Sequence, residues 1–481
     1  MALLYRRCAG LDIHRDTVVA CVRTRAKGKF EEQRETFGTF TNELKRMERW
    51  LRAQRVRQVA MESTGVYWMP VWNVLEASRC RFQLTLVNPA QVRAMAGHKT
   101  DQIDSGRIAE FLQHGRLAGS FIPPVSIREA RAVERRRVHL QQDRNRVIHR
   151  IGRLLQTVNI KLSSVLSNIV GLSGRRILRA IADGRRNGEK LAALAHHSLN
   201  GKKAQIAASL EGRYSEHFRW LLAELPDELD RLDDKLAEVT RRLEDYMTPH
   251  AELIERLTTI PGIEKITAWT LIAETGADMS PFPDAKHLAS WAGLCPGNNE
   301  SAGKRKSGRT RKGNRYLRRI LVQAAWAAAH TKDTYLSALF LRLARKIGMK
   351  KATVALAHRM LLIAFHIIRD GERYREAGGD YFDKRNPART ARRLMARLEA
   401  LGYDISLNAP DATAPPQPAR RRQGRPCKCV ERGVACAHLG LPAPAPEPVA
   451  PTIEPVPQAP RCKKCAAWKI DCIHVRPKLR P

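Results

Sequence analysis

Acidic side chains are scarce in this chain of 481 residues, where 48 Asp and Glu stand against 85 Lys and Arg. The resulting formal charge of +37 far exceeds what solubility requires, so it predicts a polyanionic partner. Hydrophobic residues make up 43% of the chain, which is enough to form packed cores. The composition therefore excludes a disordered basic tail.

A long hydrophobic run is also missing. No apolar leader segment follows Met1, and the most apolar stretch, residues 353–368, is too short to span a membrane and contains His358 and Arg359. We interpret this stretch as a buried helix. We expect a cytoplasmic protein with no membrane contact.

Cysteine is rare before the last part of the chain. The four cysteines that precede it have scattered positions, which predicts reduced thiols: Cys8, Cys21, Cys80 and Cys295. The other six form two short repeats of three Cys and one His each, namely Cys427, Cys429, Cys436 and His438, then Cys462, Cys465, Cys472 and His474. Thiolate and imidazole ligands at these spacings favour tetrahedral Zn²⁺, so we predict two zinc modules. Neighbouring Lys and Arg with Trp468 favour nucleic-acid contact there.

Alternating strand and helix patterns predict a mixed α/β domain over residues 1–125. Residues 8–22 favour two short strands around a tight turn, and residues 30–37 favour a third. Further helices are predicted over 42–54, 67–77 and 101–114, and further strands over 58–62 and 82–87.

Long helical patterns follow over residues 126–250. A basic helix is predicted over 127–162, and apolar residues from Leu225 to Tyr246 at alternating four- and three-residue spacing form a heptad seam. These patterns favour an antiparallel coiled coil, with an ordinary helical bundle as the alternative. The rest is predicted as a mainly α domain over 251–400, a linker over 401–426, a zinc module over 427–438, a Pro-rich linker over 439–461 and a zinc module over 462–474.

Four carboxylates lie where a sheet domain can direct side chains into a cleft. Asp12 lies in the first predicted strand, Glu62 ends another, and Asp101 and Asp104 share one face at the start of a helix. Converging carboxylates need cations, and oxygen ligands suit Mg²⁺ or Mn²⁺, two of which can clamp a phosphodiester. Taken singly, each acid is also compatible with a structural role.

A glycine-rich basic loop is predicted between Trp291 and Leu321. Its cations could neutralise phosphates: Lys304, Arg305, Lys306, Arg309, Arg311, Lys312 and Arg315. Ser301 precedes this run and Ser307 lies within it, and a serine among guanidinium groups could attack phosphorus. The chemistry alone does not separate the two serines, and a solvated loop is the alternative. Upstream, residues 260–268 are similar to a helix-hairpin-helix turn, whose amides and helix N-terminus could hold a phosphate.

The order and spacing of these motifs resemble the DEDD transposases of the insertion-sequence one-ten family. The matching segments are Gly-Leu-Asp12-Ile-His, Met-Glu62-Ser-Thr-Gly, Lys-Thr-Asp101-Gln-Ile-Asp104, the Pro261-Gly262 segment, and Cys-Pro-Gly-Asn-Asn-Glu-Ser301-Ala-Gly. The zinc modules depart from the family pattern.

The resemblance implies an N-terminal domain like RuvC, with an RNase H-like fold, whose Asp12, Glu62, Asp101 and Asp104 hold divalent metal. It implies a C-terminal transposase domain in which Ser301 becomes linked to DNA. It further implies the element's ends and a target as DNA substrates and a structured bridge RNA as guide. Because strand exchange needs several active sites, we expect a homodimer or tetramer formed through the heptad helices.

Two other functions are compatible with the same residues. A RuvC-like, structure-selective endonuclease that uses metal-activated water would keep the four acids but would not need Ser301. A nucleic-acid-binding regulator with structural carboxylates would cleave nothing.

Overall fold

The computed structural model of the protein describes residues 3–26, 28–89, 104–297, 299–301 and 304–405. For residues 104, 299–301 and 304–306 the description covers the backbone alone. Asp101 and both Cys/His modules lie outside the described residues.

The N-terminal part folds around one five-stranded mixed sheet in the order β3-β2-β1-β4-β5. Its strands are β1 (Arg7–Ile13), β2 (Thr17–Ala26), β3 (Lys29–Gly38), β4 (Gln58–Glu62) and β5 (Gln83–Val87). The first three form an antiparallel meander, whereas β4 runs parallel to β1 and β5 runs parallel to β4. The predicted mixed α/β domain is thus confirmed.

Alternation along β1 divides its side chains between the two faces of the sheet. Ala9, Leu11 and Ile13 pack in a core with helices α1 (Thr41–Ala53) and α2 (Trp68–Glu76). The other face carries Cys8, which packs under helix α3 (Asp104–Gln113). The sheet is therefore covered by helices on both faces.

A helical hairpin forms the middle of the chain. Helix α4 (Val125–Thr157) pairs antiparallel with α9 (Glu216–Met247), as the ion pairs Arg150–Glu228 and Arg144–Asp233 show. Between them lie α5 (Leu162–Val165), α6 (Leu172–Ala182), α7 (Gly188–Ala192), a 3-10 turn (His197–Lys202) and α8 (Lys203–Ser209). The predicted basic helix ends earlier than expected, because Asn159 adopts a positive φ of 64° that a helix cannot continue.

The predicted heptad seam is buried unevenly. Leu225, Leu229 and Leu243 are buried, while Leu236 and Val239 between them are half-buried. The two ends of the hairpin enter two separate hydrophobic cores. The apolar residues in the middle of α9 are thus shielded from solvent only in part, by the pairing of α9 with α4.

The C-terminal part is mainly helical, which confirms that prediction. After a 3-10 turn (Thr248–His250) its helices are α10 (Ala251–Thr258), α11 (Lys265–Thr275), α12 (Ala285–Trp291), α13 (Arg315–His330), α14 (Tyr335–Ile347), α15 (Met349–Asp370), α16 (Tyr381–Arg385) and α17 (Pro387–Glu399). By length and composition α15 could cross a membrane, but Leu356, Met360 and Phe365 are buried in the core of this part. Such burial is typical of a core helix.

Candidate active site

Asp12 and Glu62 occupy equivalent positions at the carboxyl ends of two adjacent parallel strands. The register pairs Leu11 of β1 with Met61 of β4, so Asp12 and Glu62 come next on the two strands. Side chains alternate between faces along each strand, and Leu11 and Met61 both lie in the core on the α1 and α2 side. Asp12 and Glu62 therefore both face the opposite side.

Helix α3 covers the same face of the sheet and contacts β1 at Gly10, which has no side chain. A Cβ atom on Gly10 would overlap the carbonyl oxygen of Ser105 and the amide of Ala109. Farther back along β1, the Cys8 thiol donates to the carbonyl oxygen of Ala109 at 3.2 Å. Because α3 runs antiparallel to β1, its first residue, Asp104, lies toward the end of the strand that carries Asp12.

The Asp12 carboxylate is almost completely buried, with 7% of the residue exposed. Its Oδ2 lies 3.1 Å from Nε2 of His14, whose side chain is about half exposed. Glu62 is half-buried, and the backbone turns directly after it, since Thr64 N donates to the Glu62 carbonyl at 2.9 Å. At this end of the two strands Asp12 is therefore shielded from solvent, whereas Glu62 and His14 are partly exposed.

The structure brings together two of the four predicted metal-binding acids, Asp12 and Glu62, and it places the backbone of Asp104 toward them. Asp101 lies outside the described residues. Among the residues that are described, no group of three or more potential metal ligands is present. The four scattered cysteines are free thiols, as predicted.

The predicted basic loop contains a short β-hairpin, and α13 begins within the predicted range of the loop, at Arg315. Strand β6 (Asn299–Ser301) pairs antiparallel with β7 (Lys304–Ser307), and the register places Ser301 opposite Lys304 and Asn299 opposite Ser307. The two candidate serines therefore lie at opposite ends of the hairpin. These strands could not be predicted from the residue pattern, because Lys-Arg-Lys-Ser lacks apolar alternation.

Close backbone contacts fix the base of the hairpin. Pro296 forms a bridge with Thr310, and Gly297 N donates to the Arg309 carbonyl at 2.9 Å. Gly293 has a φ of 73°, and a Cβ on it would lie 2.9 Å from Gly313 N. Two glycines here let the two chain segments touch directly.

A buried carboxylate connects the end of the basic segment to α4. Asn314 Oδ1 accepts from the amides of Tyr316 and Leu317 at 3.1 Å and so caps α13. Its Nδ2 donates to Glu274 at 2.6 Å, and Glu274 also accepts two hydrogen bonds from Arg135.

Glu274 was not among the predicted site residues, because it lies within an otherwise largely apolar helical stretch. A neighbouring cation on α4 adds to the same cluster, since Arg131 lies 3.4 Å from the Glu274 carboxylate. Burial lowers the pKa of Arg131 to about 10, although Glu274 opposes the shift. The sequence feature that could have identified Glu274 was a single acidic residue in a run of largely apolar helical residues.

The cations after the hairpin point into solvent. Arg309, Arg311, Lys312 and Arg315 are exposed, and within the described part of the chain no carboxylate forms a salt bridge with them. The backbone of Lys304, Arg305 and Lys306 forms part of β7. Exposed cations without acidic partners remain available for phosphates.

The helix-hairpin-helix-like turn lies between α10 and α11. Gly262 has a φ of 84°, and a Cβ on it would lie 2.7 Å from Ala328 N of α13. The glycine therefore permits close packing of the turn on α13. Phosphate binding by this turn stays a prediction.

Comparison with known families finds two matching segments. Residues 9–160, which contain most of the sheet together with α3 and α4, match the family model of IS110-type DEDD proteins, described as "Transposase". Residues 254–340, which contain the hairpin, match a second model, described as "Transposase IS116/IS110/IS902 family".

Individual relatives cover the chain in part. The putative transposase y4pF/y4sB of Sinorhizobium fredii is 32% identical over 36% of this chain and 43% of its own length. The transposase for insertion sequence element IS1328 of Yersinia enterocolitica is 27% identical over 56% of this chain and 69% of its own length. The pilin gene-inverting protein of Moraxella bovis is 30% identical over 30% of this chain and 46% of its own length. The chain thus spans less than half the length of the first and third of these relatives.

Proposed function

We propose that this chain, which matches the IS110-type DEDD transposases in two segments, is itself a transposase that cuts and rejoins DNA at the ends of an insertion sequence and at its target. The proposal rests on the position of Asp12 beside Glu62. Both residues lie on the face of the sheet that α3 covers, near the strand ends where α3 begins. The meander continued by two parallel strands supports a RuvC-like, RNase H-like domain.

In this proposal Asp12, Glu62, Asp101 and Asp104 hold Mg²⁺ or Mn²⁺. Asp12 and Glu62 fit such ions, because both offer carboxylate oxygens from neighbouring strands to one side of the sheet. When bound, the metal supplies positive charge to the oxygens of the reacting phosphodiester. His14 orients the Asp12 carboxylate by contact with Oδ2, and the missing side chain of Gly10 lets α3 approach.

Ser301 is the proposed nucleophile. Its Oγ would bond to phosphorus and lose its proton, while the deoxyribose oxygen leaves as a hydroxyl group. The reverse reaction with another strand's hydroxyl would rejoin DNA and free the serine. The exposed cations that follow the hairpin support this assignment, since they can stabilise charge on the phosphate.

The partners follow from charge. A formal charge of +37 and exposed arginines favour contact with nucleic-acid backbones, while base pairing with a bridge RNA would provide sequence specificity. The two Cys/His modules would bind Zn²⁺ and add a further nucleic-acid contact. Strand exchange would need a dimer or tetramer.

A supercoiled plasmid carrying the element's joined ends tests the proposal, with and without the RNA transcribed from the flanking DNA. Exchanged strands together with a covalent protein–DNA adduct support the transposase. Nicked or linear DNA without an adduct identifies a hydrolytic endonuclease instead. An intact plasmid under all conditions, with binding retained, identifies a regulator.

A further inference from the structure

A cleft of about 810 Å³ lies between the base of the β6–β7 hairpin and helix α15. The hairpin side contributes Ser307 and Arg309, and α15 contributes residues from Lys350 to His358. Sites for small ligands typically occupy about 300 to 1,000 Å³. The cleft is therefore large enough to hold a compact organic group.

The floor of the cleft is apolar and its rim is cationic. Leu294 is 3% exposed, and Val354 is half-buried beside it. Arg309, Lys350 and Lys351 line the opening and are exposed. Among the described residues that line the cleft none is acidic. This combination suits a ligand with an apolar ring and a negatively charged group.

His358 is the one aromatic side chain among the described lining residues. Burial, and secondarily the charge of Arg359, lower the pKa of His358 below its ordinary value of 6.5. The ring is therefore neutral at pH 7, so one nitrogen can donate and the other can accept a hydrogen bond. Neutral imidazole also stacks on nucleobases.

We infer that this cleft binds one unstacked nucleotide of the DNA strand handled by the hairpin, with its base on the apolar floor beside His358 and its phosphate among Arg309, Lys350 and Lys351. The choice of DNA rests on the proposed function. Charge complementarity and continuity with the hairpin favour this occupant, because Ser307 lines the cleft and Ser301 ends the other strand of the hairpin. A base must leave its stack to enter such a site.

The first test uses a DNA duplex with a three-nucleotide gap that carries 2-aminopurine at its centre. Val354→Trp should fill the cleft, so the fluorescence change that accompanies binding of the wild-type protein should be lost. Affinity for a fully paired duplex should stay within about twofold, because phosphate contacts dominate it. Leu341→Trp is the matched control, since Leu341 is 53% exposed on α14 and does not line the cleft. An unchanged fluorescence response in Val354→Trp would overturn the inference.

The second test removes charge without altering the floor. Lys350→Ala with Lys351→Ala should lower affinity for the gapped duplex about tenfold and reduce its salt dependence by roughly one to two counterions. The control pair is Lys202→Ala with Lys203→Ala, which removes the same charge from adjacent lysines at the start of α8. Equal losses in both double variants would contradict a specific cleft. A gapped RNA duplex that responds to Val354→Trp while the DNA does not would show that RNA is the occupant.

Both tests measure binding and need no cleavage. If the plasmid shows no strand exchange while the fluorescence response depends on Val354, the proposed function fails and the cleft stands. If strand exchange occurs and the Val354→Trp protein binds like the wild type, the cleft inference alone fails.

Discussion

The fully buried Glu274 carboxylate accepts hydrogen bonds from Nε and one terminal nitrogen of Arg135 at 2.8 and 2.9 Å. Arg135 belongs to α4, whereas Glu274 lies near the end of α11. Asn314 joins the same carboxylate, so the pair holds the long helix against the end of the basic segment.

Replacing Glu274 with Gln should destabilise the fold strongly. Arg131 and Arg135 would lose their buried counter-charge, which typically costs about 3 to 5 kcal/mol. Urea unfolding followed by circular dichroism measures the change. Glu255→Gln is the control, because its salt bridge with Arg373 is exposed and should contribute less than about 1 kcal/mol. Equal changes in the free energy of unfolding of the two variants would show that the Glu274 cluster stabilises the fold no more than an exposed salt bridge does.

Asp12→Asn and Glu62→Gln should each strongly reduce the rate of strand cleavage. Losing a metal-binding carboxylate removes several kcal/mol of transition-state stabilisation, so the cleavage rate should fall at least about a hundredfold. DNA affinity, measured by fluorescence anisotropy, should change little. Asp16→Asn is the control, since Asp16 is exposed in the turn between β1 and β2. Normal cleavage by either variant would remove that residue from the site.

Gly10→Ala should reduce both stability and cleavage, because the added methyl group would overlap the backbone of α3. Overpacking of this kind typically costs about 1 to 3 kcal/mol. Gly152→Ala is the matched control. Gly152 lies inside α4, and a Cβ there meets nothing within 4 Å. The control should gain about 0.5 to 1 kcal/mol. Thermal unfolding of both proteins gives the answer, and a stable, active Gly10→Ala protein would show that α3 can shift freely.

Ser301→Ala should bind DNA normally yet form no covalent adduct, since it removes only the proposed nucleophile. Ser307→Ala should retain adduct formation, because Ser307 lies at the base of the hairpin, where its Oγ accepts from Arg309 N at 3.1 Å. Denaturing gels with end-labelled DNA detect the adduct. Its persistence in Ser301→Ala and loss in Ser307→Ala would reverse the assignment.

The C-terminal segment should contain two zinc ions per chain. Each Cys/His repeat offers three thiolates and one imidazole, which suits one tetrahedral ion. Metal analysis of the full-length protein should therefore give two equivalents, and Cys465→Ser should give one. A ratio of zero, or disulfides that resist removal of metal, would contradict the prediction.

The sheet domain was predictable because its elements alternate strongly. Strand β4 has the predicted bounds, and the predicted α1, α2 and β5 differ from the observed elements by one residue at each end or fewer. Periodicity alone, however, could not show that Gly10 contacts α3 or that Glu274 pairs with Arg135. Such relationships join residues far apart in sequence, and they depend on tertiary packing.

The site was predictable only in part. Asp12 and Glu62 were identified because they lie in short apolar strands, and their register then placed them on one face. The hairpin around Ser301 was missed because its strands are held by backbone pairing and carry polar side chains. The cleft beside α15 was missed because its floor and rim come from separate segments.

Helix α4 contributes residues to two separate hydrophobic cores. Ile127 and Ala130 pack with the C-terminal helices, whereas Val147 and Ile151 pack with the middle ones. A chimaera that joined two related genes near residue 250 would take Ile127, Ala130 and Arg135 from one parent, and Glu274 with the C-terminal helices from the other. Crossovers there should rarely give functional offspring, so the two halves of such a gene should descend together.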